Sequence, residues 1–202
     1  MPSIFTHAAV ALGIGTSLYP NVSRQALVVG AVCSAIPDLD VIGFSFGIHY
    51  GDVFGHRGFT HSLLFAVLLA TAAMVLVDGY APRHTSFLLW TYLFLATASH
   101  GFLDAMTDGG LGVAFFAPFS NKRYFLPWTP VQVAPIGLFR FFSMRGLSVF
   151  LSELLWIWIP TALLATSIWI LRREGSGSDY KSHQVCRRHL QKLPKNAGQA
   201  IV

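Results

Sequence analysis

Charge is scarce in this sequence. Charged residues make up only 11% of its 202 positions, while hydrophobic residues reach 53%; an ordinary soluble domain carries about 25% charged residues. Mean hydropathy is +0.55. A chain of this size cannot cover a water-facing surface with so little charge. That excludes a soluble globular enzyme, a disordered chain and a soluble nucleic-acid binder, and leaves a polytopic membrane protein. Cysteine is scarce too. Cys33 and Cys186 supply no disulfide framework, and Cys33, inside an apolar run, reads as a small core residue. The N-terminus lacks a basic n-region and its apolar stretch already contains His7, so no cleavable signal peptide is expected. The Gly-x-Ser-x-Gly elbow, the Gly-x4-Gly-Lys phosphate loop and the dinucleotide fingerprint are all missing.

The net charge of +5 is confined to one place. Residues 1–171 hold seven basic and seven acidic residues, whereas 172–202 hold Arg172, Arg173, Lys181, Arg187, Arg188, Lys192 and Lys195 against Glu174 and Asp179. The high pI therefore describes a tail and not a basic binding face, and no specific nucleic-acid partner is expected. The tail opens on Gly175-Ser176-Gly177-Ser178 and reads as flexible and solvated. Two parts follow: a membrane-embedded domain over 1–171 and a basic tail over 172–202.

Five apolar segments precede the tail: Ile4–Tyr19, Gln25–Ile36, Ser62–Val77, Thr85–Leu103 and Leu154–Leu171. Turn residues separate them, with Pro37 ending the second. The fifth offers 18 uncharged residues, about 27 Å of helix and close to a bilayer core. The shorter ones read as helices of a bundle, buried partly against one another. The expected fold is all-α: a polytopic membrane bundle of about four to five helices, with the bilayer as its partner. A long connection, Ala105–Gly146, carries Phe115, Phe116, Phe119, Tyr124, Phe125, Trp128, Phe139, Phe141 and Phe142, interleaved with Lys122, Arg123, Arg140 and Arg145. Aromatic and basic residues together favour the headgroup layer, which suggests an interfacial lid; an ordinary loop packed on the bundle is the alternative.

In a chain this poor in charge, the placement of His and Asp is informative. Threaded as antiparallel helices, His7 opens helix one and Asp38 and Asp40 close helix two. His56 and His61 open helix three, and His100 and Asp104 close helix four. All of these ends fall on one side. A single histidine on an apolar face is ordinarily a satisfied core residue, but burying three such carboxylates with histidines at membrane depth is costly without a cation. Imidazole and carboxylate donors suit zinc, manganese or iron. His100 and Asp104, at i and i+4, share a helical face. His56 and His61 are spaced as a loop ligand followed by a helix ligand, with Gly58 at the bend and Thr60 or Ser62 capping helix three. Asp38-Leu39-Asp40 after Pro37 reads as an extended turn that aims both carboxylates to one side. One of the pair is expected to bind metal, the other to bridge a second metal or orient a histidine. His49 and Asp52 read as loop residues, and His183-x2-Cys186-x2-His189 in the tail as incidental.

Four stretches then resemble a known family: Pro37-Asp38-Leu39-Asp40, His56-Arg57-Gly58-Phe59-Thr60-His61-Ser62, His100-Gly101-Phe102-Leu103-Asp104 and Pro118-Phe119-Ser120-Asn121-Lys122-Arg123. In order and spacing they are similar to the bacterial inner-membrane metal-dependent hydrolases, some of them described as LexA-regulated and thought to be distantly related to zinc-dependent phospholipase C. The resemblance covers roughly 1–171. It implies an inner-membrane, multi-pass protein whose metal positions are His7, Asp38, His56, His61, His100 and Asp104. Many members carry an acidic residue after the last of these stretches, where this chain reads Tyr124-Phe125-Leu126-Pro127-Trp128. The reading is metal-assisted hydrolysis at the membrane interface, on a phosphoester or lipid-like substrate. Asp40, or whichever of Asp38 and Asp40 is not a ligand, would be the general base. Arg57 or Arg123 would hold an anionic group, with headgroup contact as the alternative. A metal-binding or metal-transporting protein without turnover is the competing reading. Basic residues are retained in the cytoplasm, so the tail is expected there.

Overall fold

The computed structural model describes residues 1–19, 22–77, 86–134 and 143–172. The loop residues Asp78, Arg83 and His84, the stretch Phe139 to Phe142 and the tail beyond Arg172, including His183, Cys186 and His189, lie outside them. The chain divides into two units, Met1–Ala165 and Thr166–Val202, and the first holds every candidate site residue.

The described residues are helical, with two isolated β-bridges, Thr107 to Val131 and Val113 to Tyr124. Helix α1 spans Ile4–Leu18, α2 Arg24–Ala35, α3 Leu63–Val77, α4 Ser86–Ala105 and α5 Met144–Glu153. Serines start three of them: the Ser23, Ser62 and Ser143 hydroxyls accept from the Ala26, Phe65 and Gly146 amides at 3.1, 3.1 and 3.3 Å, each satisfying one donor left free by a helix start. Among the described residues, two helical stretches are long and apolar enough to cross a membrane, Arg24–Phe46 and Met144–Arg172.

Three local expectations change. The second helix does not stop at Pro37; it runs on as a 3-10 helix, Ile36–Phe46, with Pro37 in its first turn, where the missing N–H costs nothing. Asp38 and Asp40 therefore sit on a tight helix and not on an extended turn. The bend before His61 is shared by Arg57, at φ 63°, and Gly58, at φ −89° and ψ −128°, where a Cβ would run into the Val53 carbonyl. The last helix starts at Met144, ahead of the expected Leu154, and passes through a π turn, Leu154–Trp158.

Helix α4 is the hub, packed against α1, α2 and α3. Its Tyr92, Leu93 and Ala96 meet Ala11, Cys33, Ala70 and Ala73 in one buried cluster. Small residues let membrane helices approach closely, and Gly30 is where this is tightest: a Cβ there would run into Tyr92 Oη. The result sets the start of α1, the end of α2, the start of α3 and the end of α4 at one end of the bundle. The connection after α4 closes over that end. Leu63 N–H donates to Phe115 O, Ala114 N–H to Arg57 O and Leu126 N–H to Ala105 O, while Phe116, Phe119, Phe125 and Trp128 remain exposed.

Candidate metal centre

Four side chains from three of those helix ends converge. Donor atoms of Asp38, His61, His100 and Asp104, all buried, lie within 4.8 Å of one another. His61 Nε2 stands 3.0 Å from His100 Nε2, 3.3 Å from Asp104 Oδ2 and 3.8 Å from Asp38 Oδ1, and His100 Nε2 is 3.3 Å from Asp38 Oδ1. Tetrahedral bonds of about 2.0–2.1 Å to nitrogen and oxygen set neighbouring donors about 3.4 Å apart, so these spacings bracket what one small divalent cation requires.

The groups behind these residues decide which nitrogen faces inward. His100 Nδ1 lies 2.6 Å from the Ser34 carbonyl oxygen, which can only accept, so Nδ1 carries the proton and Nε2 the lone pair. His61 Nδ1 lies 3.2 Å from Asp40 Oδ2. A carboxylate or carbonyl behind an imidazole is the arrangement that orients metal-binding histidines. Two buried Nε2 atoms facing each other at 3.0 Å call for a proton or a metal between them. Burial disfavours a charged His61, but the carboxylates of Asp104, Asp38 and Asp40 outweigh it and hold this imidazole well above the ordinary histidine range. Both oxygens of Asp38 and of Asp104, and both nitrogens of His7, are buried without a hydrogen bond, although buried polar atoms are normally paired. The donor set therefore fits a divalent metal.

The other expected site residues divide. Asp40 stands behind the four, its carboxylate occupied by His56 Nδ1 at 2.7 Å, Thr60 Oγ1 at 2.7 Å and the Arg57 amide at 3.2 Å, besides His61 Nδ1. Three of these four contacts fall on Oδ2, and Oδ1 meets His56 alone. His56 lies on the far side of Asp40. With Asp40 and His61 it forms a second possible donor group, within which His56 Nδ1 and His61 Nδ1 already face the Asp40 carboxylate. His7 stacks on His100, centroids 3.7 Å apart, with Nε2 3.7 Å from Asp104 Oδ1.

Both arginines are engaged inside the protein. Arg57 is fully buried; its Nη1 and Nη2 donate to Gly109 O and Thr107 Oγ1 at 2.8 Å each, and its Nε lies 3.0 Å from Asp104 Oδ2. Arg123 donates to the His56, Tyr50 and Asp52 carbonyls at 2.9, 3.0 and 3.1 Å. The Arg57 guanidinium is thus enclosed, whereas Arg123 remains partly exposed. Sequence reasoning missed the supporting Ser34 carbonyl, Thr107 and Gly109, because a carbonyl contributed across space leaves no residue-type signal. Thr60 was legible only as a cap.

The match of the chain to known proteins agrees with a membrane setting. Residues 1–175 match the family described as YdjM inner membrane protein. The inner membrane protein YbcI of Escherichia coli (strain K12) is 42% identical over 174 residues, 86% of this chain and 100% of that protein. The uncharacterized protein YvsG of Bacillus subtilis (strain 168) is 37% identical over 93 residues, 43% of this chain and 54% of its own. No solved structure matches. A match across all of 1–175, from the first helix through the whole buried His and Asp cluster, makes this chain a member of the YdjM inner membrane protein family.

Proposed function

We propose that the chain is a metal-dependent hydrolase of the bacterial inner membrane, acting on a phosphoester or lipid-like substrate where headgroups lie. The observation that carries the reading is the convergence of Asp38, His61, His100 and Asp104 on one buried point, with both Nε2 atoms turned inward. A divalent metal, zinc first and manganese or iron as alternatives, would supply there a water acidified enough to be a nucleophile near neutral pH. The chain's own residues do the rest. Asp40 and the Ser34 carbonyl lock the two ligand imidazoles. Arg57 balances part of the carboxylate charge at Asp104, an orienting role in place of a substrate clamp. Asp40, outside the four donors, is the candidate general base, and His7 stands beside Asp104 with both nitrogens free of hydrogen bonds. The phosphoester is proposed as substrate class on the sequence resemblance alone, which implies a distant relation to zinc-dependent phospholipase C.

A metal held without turnover, for structure or transport, is the second reading. Four protein donors resemble the closed sets of structural sites, and all four are buried. Transport is the weaker form of it, since transporter sites usually lie near mid-bilayer and these residues lie at one end of the bundle.

Protein purified in mild detergent should contain zinc, manganese or iron at about one per chain, and should lose most of it in His61→Ala and Asp104→Ala. Full retention in both would sink the assignment. Metal-dependent hydrolysis of a phosphodiester in mixed micelles, absent in Asp104→Asn, separates the two readings: metal without turnover supports the second.

A further inference from the structure

One buried acid stands outside the centre. Glu153 ends α5, inside the apolar stretch Met144–Arg172, and its side chain is fully buried. An ionisable residue within a membrane helix is costly and marks a functional position by default. Its partners all come from the start of α1. Glu153 Oε1 accepts the Ser3 amide, and Oε2 accepts the Ser3 and Thr6 hydroxyls at 2.6 and 2.7 Å. Ser3 is the N-cap of α1 but makes no side-chain cap of its own; Glu153, from another helix, instead holds the Ser3 amide, with its charge at the favourable end of the α1 dipole. The π turn that follows brings Trp158 back to the same place, where its indole N–H donates to Thr6 Oγ1 at 2.7 Å. π turns often occur at functional sites.

The next residue after Thr6 is His7. Its ring makes no hydrogen bond and is held by stacking on His100 and by the path of α1. We infer that Glu153 is a positioning residue for His7: by clamping Ser3 and Thr6 it sets the height and rotation of the first turn of α1, and with them the stand of the His7 ring against His100 and Asp104. Its bearing on chemistry rests on the metal centre proposed above. The clamp requires the shape and donors of the side chain more than its charge. A glutamine fits equally, its oxygen accepting the Ser3 amide and its NH2 donating to the two hydroxyls, which can turn to accept.

The test uses the full chain in detergent, with Glu153→Leu, Glu153→Gln and Thr6→Val. Histidine-selective NMR without metal reads the His7 ring resonance, assigned by His7→Gln and displaced by the ring current of His100. The displacement should collapse in E153L, shrink in T6V and persist in E153Q. With cobalt(II) added, the visible bands of E153L should reproduce those of His7→Gln at an unchanged cobalt stoichiometry, and those of E153Q should match the wild type. An unmoved His7 resonance with unmoved cobalt bands in E153L overturns the inference. Should E153L not insert, T6V decides alone, and an unmoved His7 resonance there overturns it. If the wild type takes up no cobalt, the metal-centre reading fails by itself and the metal-free spectra still judge the clamp.

Discussion

Removing Asp40 and removing Asp104 should have different consequences, because one stands behind the proposed ligands and the other among them. Asp40→Asn keeps one acceptor but turns an NH2 towards a ring of donors from His56, Thr60, Arg57 and His61. Loss of such a supporting group costs about 10–100-fold in metal affinity, so chelator competition should show weaker but measurable binding, whereas Asp104→Asn should leave almost none. Equal losses in the two would make Asp40 a ligand. Arg57 is legible in sequence as a charge beside two histidines, yet its φ of 63° and its complete burial are not: only the fold shows that Gly109, Thr107 and Asp104 surround it. Arg57→Leu removes a buried cation from a buried carboxylate, a loss of about 3–5 kcal/mol, read as a lower unfolding midpoint in detergent. Arg57→Lys should recover only part of it, since an ammonium lacks the fork that spans all three partners.

At the level of elements, hydropathy and turn residues located four helices to within two residues at their described ends, because each is a nearly unbroken apolar run with a polar break after it. They failed where local geometry is set by neighbours. Pro37 reads as a stop, but at the head of a 3-10 helix its missing N–H costs nothing, and Asp38 and Asp40 are turned by that helix to opposite tasks. The start of the last helix at Met144 was hidden because its first turns are amphipathic and follow a long aromatic connection. The packing of α2 on α4 was likewise not legible, since Gly30 looks like any glycine in an apolar run. In the fold it is the point where Tyr92 crosses. Gly30→Ala should therefore destabilise the bundle by about 1–3 kcal/mol through overpacking, against the ordinary helix preference for alanine. A rise in the unfolding midpoint for this variant would mean that Tyr92 does not sit over α2.

For the whole molecule, the one-sided gathering of four histidines and three aspartates was readable from segment order alone, since antiparallel helices return each end to the same side; the division into proposed ligands and supports was not, since it depends on distances of 3.0 to 3.8 Å between side chains far apart in sequence. The relative YbcI aligns over its whole length with 174 residues of this chain, and the family match ends at 175. The basic tail thus lies beyond what the family shares, and a chain stopped after Glu174 should insert and keep its metal; loss of metal would make His183, Cys186 or His189 a ligand. The tail also governs orientation. Threading the sequence as alternating segments assigns Arg24, Arg83 and the seven basic residues of 172–202 to one side, nine charges in all, and Arg57, Lys122, Arg123, Arg140 and Arg145 to the other; of these five, Arg57 and Arg123 make internal contacts. Basic residues near the membrane are retained in the cytoplasm, so the tail should be inside and the metal centre should face away from the cytoplasm. Cys186 reports this without an added probe site, because Cys33 is buried in the helix core. In intact cells a membrane-impermeant maleimide should leave Cys186 unlabelled until the membrane is permeabilised. Labelling from outside would invert the bundle and put its chemistry in the cytoplasm, on the inner headgroup layer.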